Sequence, residues 1–152
     1  MQDILLNRKT IRKYTGNDVE EELLDKLLNA SARTSTTGNM QVYSIIVTSE
    51  QEIKEKLAAF HFNQPMVKEA PVSLTFCADF NRFNKWCLQR KAEPGYNNFL
   101  SFVTAAIDAL LVAQNVCLAA EEKGLGICYL GTTTYMAGPI IDLLELPKGV
   151  VP

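Results

Sequence analysis

The sequence predicts helices packed against a sheet, of the α/β or α+β class, and three observations predict it. Stretches with helical spacing alternate with short apolar runs, which sets a sheet between helices. Residues 72–80 are almost continuously apolar, the pattern of a strand covered on both faces. Residues 99–120 carry only Ser101, Thr104, Asp108, Gln114 and Asn115 as polar side chains, so a helix there is apolar on nearly every face and needs cover all round.

Taken in order, residues 3–7 form a short helix, and Arg8, Lys9, Arg12 and Lys13 follow as four cations in six residues. Such a run is either a solvated basic turn or a phosphate clamp, because Arg offers a fork of donors matched to phosphate oxygens and Thr10 adds a hydroxyl. Thr15, Gly16 and Asn17 make a turn. Asp18 and Glu21 have capping-box spacing for a helix whose face is traced by Leu23, Leu24, Leu27, Leu28 and Ser31. The polar loop 33–41 leads into a strand over 42–48, the kind of loop in which α/β folds place binding groups. Ser49 and Glu52 suggest a second capping box, for a helix burying Ile53, Leu57 and Phe60.

Asn63, Gln64 and Pro65 break the chain before the 72–80 strand. Phe80, Phe83 and Trp86 recur at helical spacing in 81–90 and are expected to pack in the core. Glu93, Pro94 and Gly95 form a loop. The 99–120 helix is about 33 Å long at helical rise, enough to run through the middle of a domain. A membrane span has that length too, but Asp108, Gln114 and Asn115 are costly in lipid. Gly124 suits the left-handed position that ends a helix, with Leu125 packing back. Residues 126–130 then read as a short buried strand ending at Gly131 and three threonines. Gly138 and Pro139 open a last helix over 140–144, and Val150 begins another strand.

The 152 residues, with a net charge of −2, have the composition of one soluble globular domain spanning 1–152. A pI near 5.4 leaves no electrostatic footprint for nucleic acid or an acidic membrane surface. Met1, Gln2 and Asp3 show no basic start to a leader, so a cytoplasmic protein is expected. Cys77, Cys87, Cys117 and Cys128 lack paired spacing and read as core thiols in a reducing compartment. No metal site is expected, and His61, the only histidine, is not flanked by a nucleophile elbow. Neither a P-loop nor a G-x-G-x-x-G motif is present.

Several separated pieces coincide with one pattern: Arg8-Lys9-Thr10-Ile11-Arg12, the 35–41 loop, Cys77 to Arg82, Ala113-Gln114-Asn115, Gly124 to Gly126, Tyr129-Leu130-Gly131, and Leu146-Pro147. Their order and spacing resemble the FMN-dependent nitroreductase and NAD(P)H:flavin oxidoreductase family, closest to its NADPH-oxidising, oxygen-insensitive nitroreductase branch. The resemblance implies an α+β three-layer sandwich with a central mixed sheet flanked by helices. It also implies a homodimer with the long helix at the interface and an FMN in each inter-subunit cleft.

Carried over by motif, Arg8, Lys9, Thr10 and Arg12 hold the FMN phosphate, ribityl chain and pyrimidine edge. Gln64 and the backbone of Leu130, Gly131 and Thr132 meet the isoalloxazine, while Thr36, Thr37, Asn39 and Gln41 reach in from the partner subunit. No protein catalytic residue is implied, because the flavin carries the chemistry. The expected activity passes a hydride from NADPH or NADH through FMN to a nitroaromatic, quinone or flavin acceptor in a ping-pong cycle. A non-catalytic flavin-binding module and a dimeric interaction domain are the alternatives. The family pattern continues past the position of Pro152. The residues that discriminate NADPH from NADH are expected there or in 82–96, so that choice stays open.

Overall fold

The computed structural model describes residues 2–95 and 97–152. Met1, the start of the segment without a leader pattern, and Tyr96, the end of the 82–96 stretch, lie outside the described residues. In chain order the elements are α1 (Gln2–Asn7), α2 (Glu21–Ser31), a 3₁₀ turn (Thr37–Asn39), β1 (Tyr43–Thr48), α3 (Gln51–Phe60) and α4 (Pro65–Glu69). They continue with β2 (Ser73–Asp79), α5 (Asn81–Gln89), α6 (Phe99–Glu122), a second 3₁₀ turn (Gly131–Thr134), α7 (Ala137–Leu143) and β3 (Val150–Val151). This is an α+β arrangement.

The sheet runs β1-β2-β3, with both pairings antiparallel; β2 is central, as its apolar run requires. Tyr43 pairs with Ala78 and Thr48 with Ser73, while β3 meets the end of β2 at Ala78–Val151 and Asp79–Val150. The parallel pairing is a single bridge between Thr10 and Ile127. The predicted strand over 126–130 is therefore reduced to one bridged residue. A ladder needs a run of partners, and only the Thr10–Ile11 segment lies alongside.

α6 crosses β2 and β1, and α2 packs on α6. Ala105, Asp108, Val112, Ala113 and Val116 are buried by this packing, so a helix long and apolar enough to span a membrane is the core helix of the fold. Its outer face leaves Ile107, Leu110 and Leu111 exposed. The helix begins with a reciprocal box: the Asn98 side chain accepts from the Ser101 N–H at 3.2 Å and the Asn98 N–H donates to Ser101 Oγ at 3.3 Å. It ends as predicted, with Gly124 at φ +78°, Leu125 N–H donating to Ala120 O and Gly124 N–H to Glu121 O, both at 3.0 Å.

A second core gathers Leu57, Ala58, Met66, Val67 and Ile140, with Cys128 and Leu130 packed against it. Lys54 is buried beside these and donates to Ala70 O at 2.8 Å, tying α3 to the end of α4.

Three expectations are corrected. The Asp18–Glu21 and Ser49–Glu52 boxes do not form: the helices start one residue past Glu20 and Glu50, and neither cap makes a side-chain bond. Trp86 is half exposed, not in the core. It stacks on Phe83 at 5.8 Å and carries the Arg90 guanidinium at 5.8 Å from its ring, a cation–π contact at the surface.

Candidate functional site

The basic run leaves α1 as extended chain and is fastened to the segment beyond α6. Thr10 bridges Ile127, and the Ile11 N–H donates to Ile127 O at 2.9 Å. Gly126 makes this approach possible. A Cβ there would stand 2.8 Å from Ile11 Cβ and Cγ2, closer than side chains tolerate. Arg8, Lys9, Thr10 and Arg12 are thus brought against the strand-like segment that leads to Leu130, Gly131 and Thr132.

An open cleft of about 1350 Å³ lies along this junction, and Arg8, Lys9, His61, Leu130 and Gly131 are among its walls. Arg8 Nη1 is 3.9 Å from Glu121 Oε1, too far for a hydrogen bond. Among the described residues Arg8 Nη1 and Glu121 Oε2 are both buried without a hydrogen-bond partner. Beside them, burial pushes the Tyr129 phenol above its ordinary value, with the neighbouring Cys117 adding to the rise and Arg8 opposing it. Lys9, Thr10 and Arg12 are exposed, and of these Lys9 lies in the cleft wall.

The corner itself is a tight turn whose hydroxyls are mostly spent locally. Thr133 Oγ1 donates to Leu130 O at 3.0 Å and Thr134 Oγ1 to Gly131 O at 3.1 Å. The Thr132 hydroxyl instead bonds to His61 Nδ1. His61 in turn accepts the Gln64 N–H on its carbonyl at 3.2 Å. Gln64, the residue before α4, is therefore linked to the same corner through His61, and the cleft itself is walled by Arg8, Lys9, Leu130 and Gly131 but not by Thr10, Arg12, Gln64 or Thr132.

Nor does the structure place Thr36, Thr37, Asn39 and Gln41 there. These lie before β1, outside the cleft walls. Asp108 accepts the Thr37 N–H at 2.9 Å and the Val42 N–H at 3.4 Å, and Arg82 donates to Gln41 O. Asn39 and Gln41 are held at φ +54°, and the buried Thr36 hydroxyl has no partner. Asp79, buried at the end of β2, accepts from Ser44 Oγ at 2.5 Å and from the Arg82 N–H at 3.0 Å, which explains the Cys77–Arg82 motif as a brace for Arg82. Asn115 in the second motif donates to Thr34 Oγ1 at 2.6 Å and joins α6 to the end of α2.

Two site-building residues carried no assigned role in the sequence reading. Asp108 was noted only as a charge unsuited to lipid, and His61 only as lacking a nucleophile beside it. A lone acid in an apolar helix, and a lone histidine three residues before Gln64, were the available signals.

The family model described as the nitroreductase family matches residues 5–151. The chain belongs to the nitroreductase family. This nitroreductase-family chain is 34% identical to a Bacillus subtilis (strain 168) protein named FMN reductase (NADPH), over 99% of its own length and 61% of that relative. A crystal structure from Bacteroides fragilis NCTC 9343 superposes with a TM-score of 0.97 at 61% identity, covering 99% of this chain and 61% of that one. The NADPH:FMN oxidoreductase from Vibrio harveyi, complexed with NAD⁺, superposes with a TM-score of 0.91 at 29% identity, covering 99% and 64%. The nitroreductase-family chain thus spans about three fifths of the length of the curated relatives it matches.

Proposed function

We propose that this protein is an FMN-dependent oxidoreductase, oxidising NADPH or NADH and reducing nitroaromatic, quinone or flavin acceptors in a ping-pong cycle. The observation that carries the reading is the fastening of the Arg8–Arg12 run at Ile127, which brings cations beside the segment leading to the 130–132 corner from far away in sequence. The names of the Bacillus and Vibrio relatives support it.

The residues fit the cofactor. Among the described residues Arg8 Nη1 has no hydrogen-bond acceptor, the nearest carboxylate oxygen being Glu121 Oε1 at 3.9 Å, and a phosphate oxygen would supply one. Lys9 and Arg12 would add charge toward the phosphate and the pyrimidine edge, Thr10 a donor to the ribityl chain, and Gln64 an amide for ring heteroatoms. Leu130, Gly131 and Thr132 would present backbone to the ring. When bound, FMN supplies the two-electron chemistry, taking a hydride from the nicotinamide and passing it to the acceptor. Cations at the pyrimidine edge favour negative charge there, the part we assign to Lys9 or Arg12.

A cytoplasmic homodimer built from single 1–152 domains completes the proposal. The exposed Ile107, Leu110 and Leu111 on α6 supply an apolar face for the partner, and Thr36, Thr37, Asn39 and Gln41, not among the cleft walls of their own chain, would serve the other copy's flavin.

The test is reconstitution with excess FMN, desalting, and an absorption spectrum, followed by NAD(P)H oxidation with a quinone. Retained flavin bands and turnover are expected, with Arg12→Ala weakening FMN binding about tenfold or more. Loss of all flavin on desalting together with no turnover sinks the proposal. Bound flavin that neither nicotinamide reduces would leave a binding module.

A further inference from the structure

The three threonines after Gly131 are used unequally. Two hydroxyls close the turn on its own carbonyls, and the third, Thr132, leaves it to bond His61 Nδ1. His61 is only 5% exposed and is engaged from both sides. Its N–H donates to Leu57 O at 3.1 Å and Ala58 O at 3.0 Å, and its carbonyl receives the Gln64 N–H. Burial holds its imidazole below the ordinary value, so the ring is neutral near pH 7 and Nδ1 meets the Thr132 hydroxyl as an uncharged partner.

The chain between His61 and Gln64 is strained. Phe62 and Asn63 sit at φ +56° and +55°, a left-handed pair with no glycine. Phe62 is 67% exposed and recovers little of that cost by packing. Such backbone persists only where its surroundings over-determine it. The Asn63 N–H on Ala58 O at 2.8 Å secures one end, and the His61 side chain anchors the other across to the corner.

We propose that His61 is a positioning residue of the flavin site. Its bond to the Thr132 hydroxyl sets the ring-facing corner at a fixed place relative to the strained turn that carries Gln64. The two sides of the ring pocket come from segments far apart in the chain, and this bond adds a directional tie to the apolar packing of Cys128 and Leu130 that also joins them. The inference rests on the FMN reading above. Its effect is on the geometry and affinity of bound flavin, exerted from the cleft wall through the corner and the Gln64 turn that it joins.

The experiment measures FMN dissociation constants and the visible circular dichroism of bound flavin for the purified protein and for Thr132→Val, His61→Ala, His61→Asn and the double variant His61→Ala/Thr132→Val. Each of Thr132→Val and His61→Ala is expected to weaken FMN about three- to tenfold, the worth of one hydrogen bond. The double variant should be no weaker than the worse single one, the mark of a shared interaction. His61→Asn, whose carboxamide can stand near the Nδ1 position, should recover most of the affinity and the flavin dichroism. Single variants that bind FMN as the parent does, or losses that simply add, overturn the inference while leaving the FMN reading intact. If His61→Ala fails to fold, Thr132→Val with His61→Asn decides it. A parent protein that binds no FMN defeats both.

Discussion

Asp108, alone among apolar neighbours in the middle of α6, accepts the backbone N–H of Thr37 from 71 residues away in sequence, at 2.9 Å. Its second oxygen receives the Val42 N–H at 3.4 Å. One fully buried carboxylate therefore holds the loop before β1 against the core helix. Asp108→Ala would strand both amides, and hydrogen bonds to a charged acceptor are individually strong. We expect a loss of about 3 kcal/mol or more in guanidinium unfolding. Asp108→Asn should lose roughly half as much, since its carboxamide can accept from only one of the two. Equal stability in all three proteins would remove the anchoring role.

Gly126 predicts a steric result. An alanine there places its Cβ 2.8 Å from Ile11 Cβ and Cγ2. The approach must widen, at about 1–3 kcal/mol, and the clamp must shift from Ile127. Thermal unfolding of Gly126→Ala should show the destabilisation, and Ile11→Ala should not rescue it, because the clashing Ile11 Cβ remains. A Gly126→Ala protein as stable as its parent would mean the clamp is loosely held.

Phe62 predicts a gain. Its left-handed backbone costs about 1–2 kcal/mol relative to glycine, while glycine returns about 0.5–1 kcal/mol to the unfolded chain. With the ring largely in solvent, Phe62→Gly should raise stability by a fraction of a kcal/mol to about 1 kcal/mol. Phe62→Val, β-branched at the same φ, should lower it. Reversal of that order in urea unfolding would show that the exposed ring contributes packing after all.

His61 predicts a pH dependence. Burial depresses its folded-state value below the usual 6.5. Well above 6.5 folded and unfolded chains both carry it neutral, so stability is flat with respect to this residue. As pH falls through 6.5 the unfolded chain takes the proton first, and stability declines until the folded-state value is passed. Being the only histidine, it makes the assignment direct. Unfolding midpoints between about pH 7.5 and 5.5 should fall toward acid, and His61→Gln should flatten the slope. An unchanged slope in His61→Gln would place the dependence elsewhere.

The parts of the fold that were legible in the sequence are those set by local chemistry. Gly124 and Leu125 ended α6 where the left-handed stop requires, and the apolar run around Cys77 became the central strand. The basic run and the 130–132 corner were legible as motifs, and Thr10–Ile127 is where they meet. Helix starts were less legible. Asp18 and Ser49 have capping chemistry but sit too early, whereas the real box uses Ser101 in place of the expected Glu or Gln. The 126–130 segment has strand-like residues, but strand length depends on what lies beside it, which no local pattern reports. The roles of Asp108 and His61 were invisible for the same reason: each is defined by a partner 71 residues away.

The Thr10–Ile127 bridge has a kinetic consequence. Its two halves lie far apart in sequence, so the loop they close is a long one. Contacts of that sequence separation are paid in chain entropy before they are rewarded, and they form late. During synthesis the basic run emerges well before residue 127 and must wait, solvated, until that residue has left the ribosome. Until then the β1–β2 pairing can assemble, but the basic run has no segment to dock on.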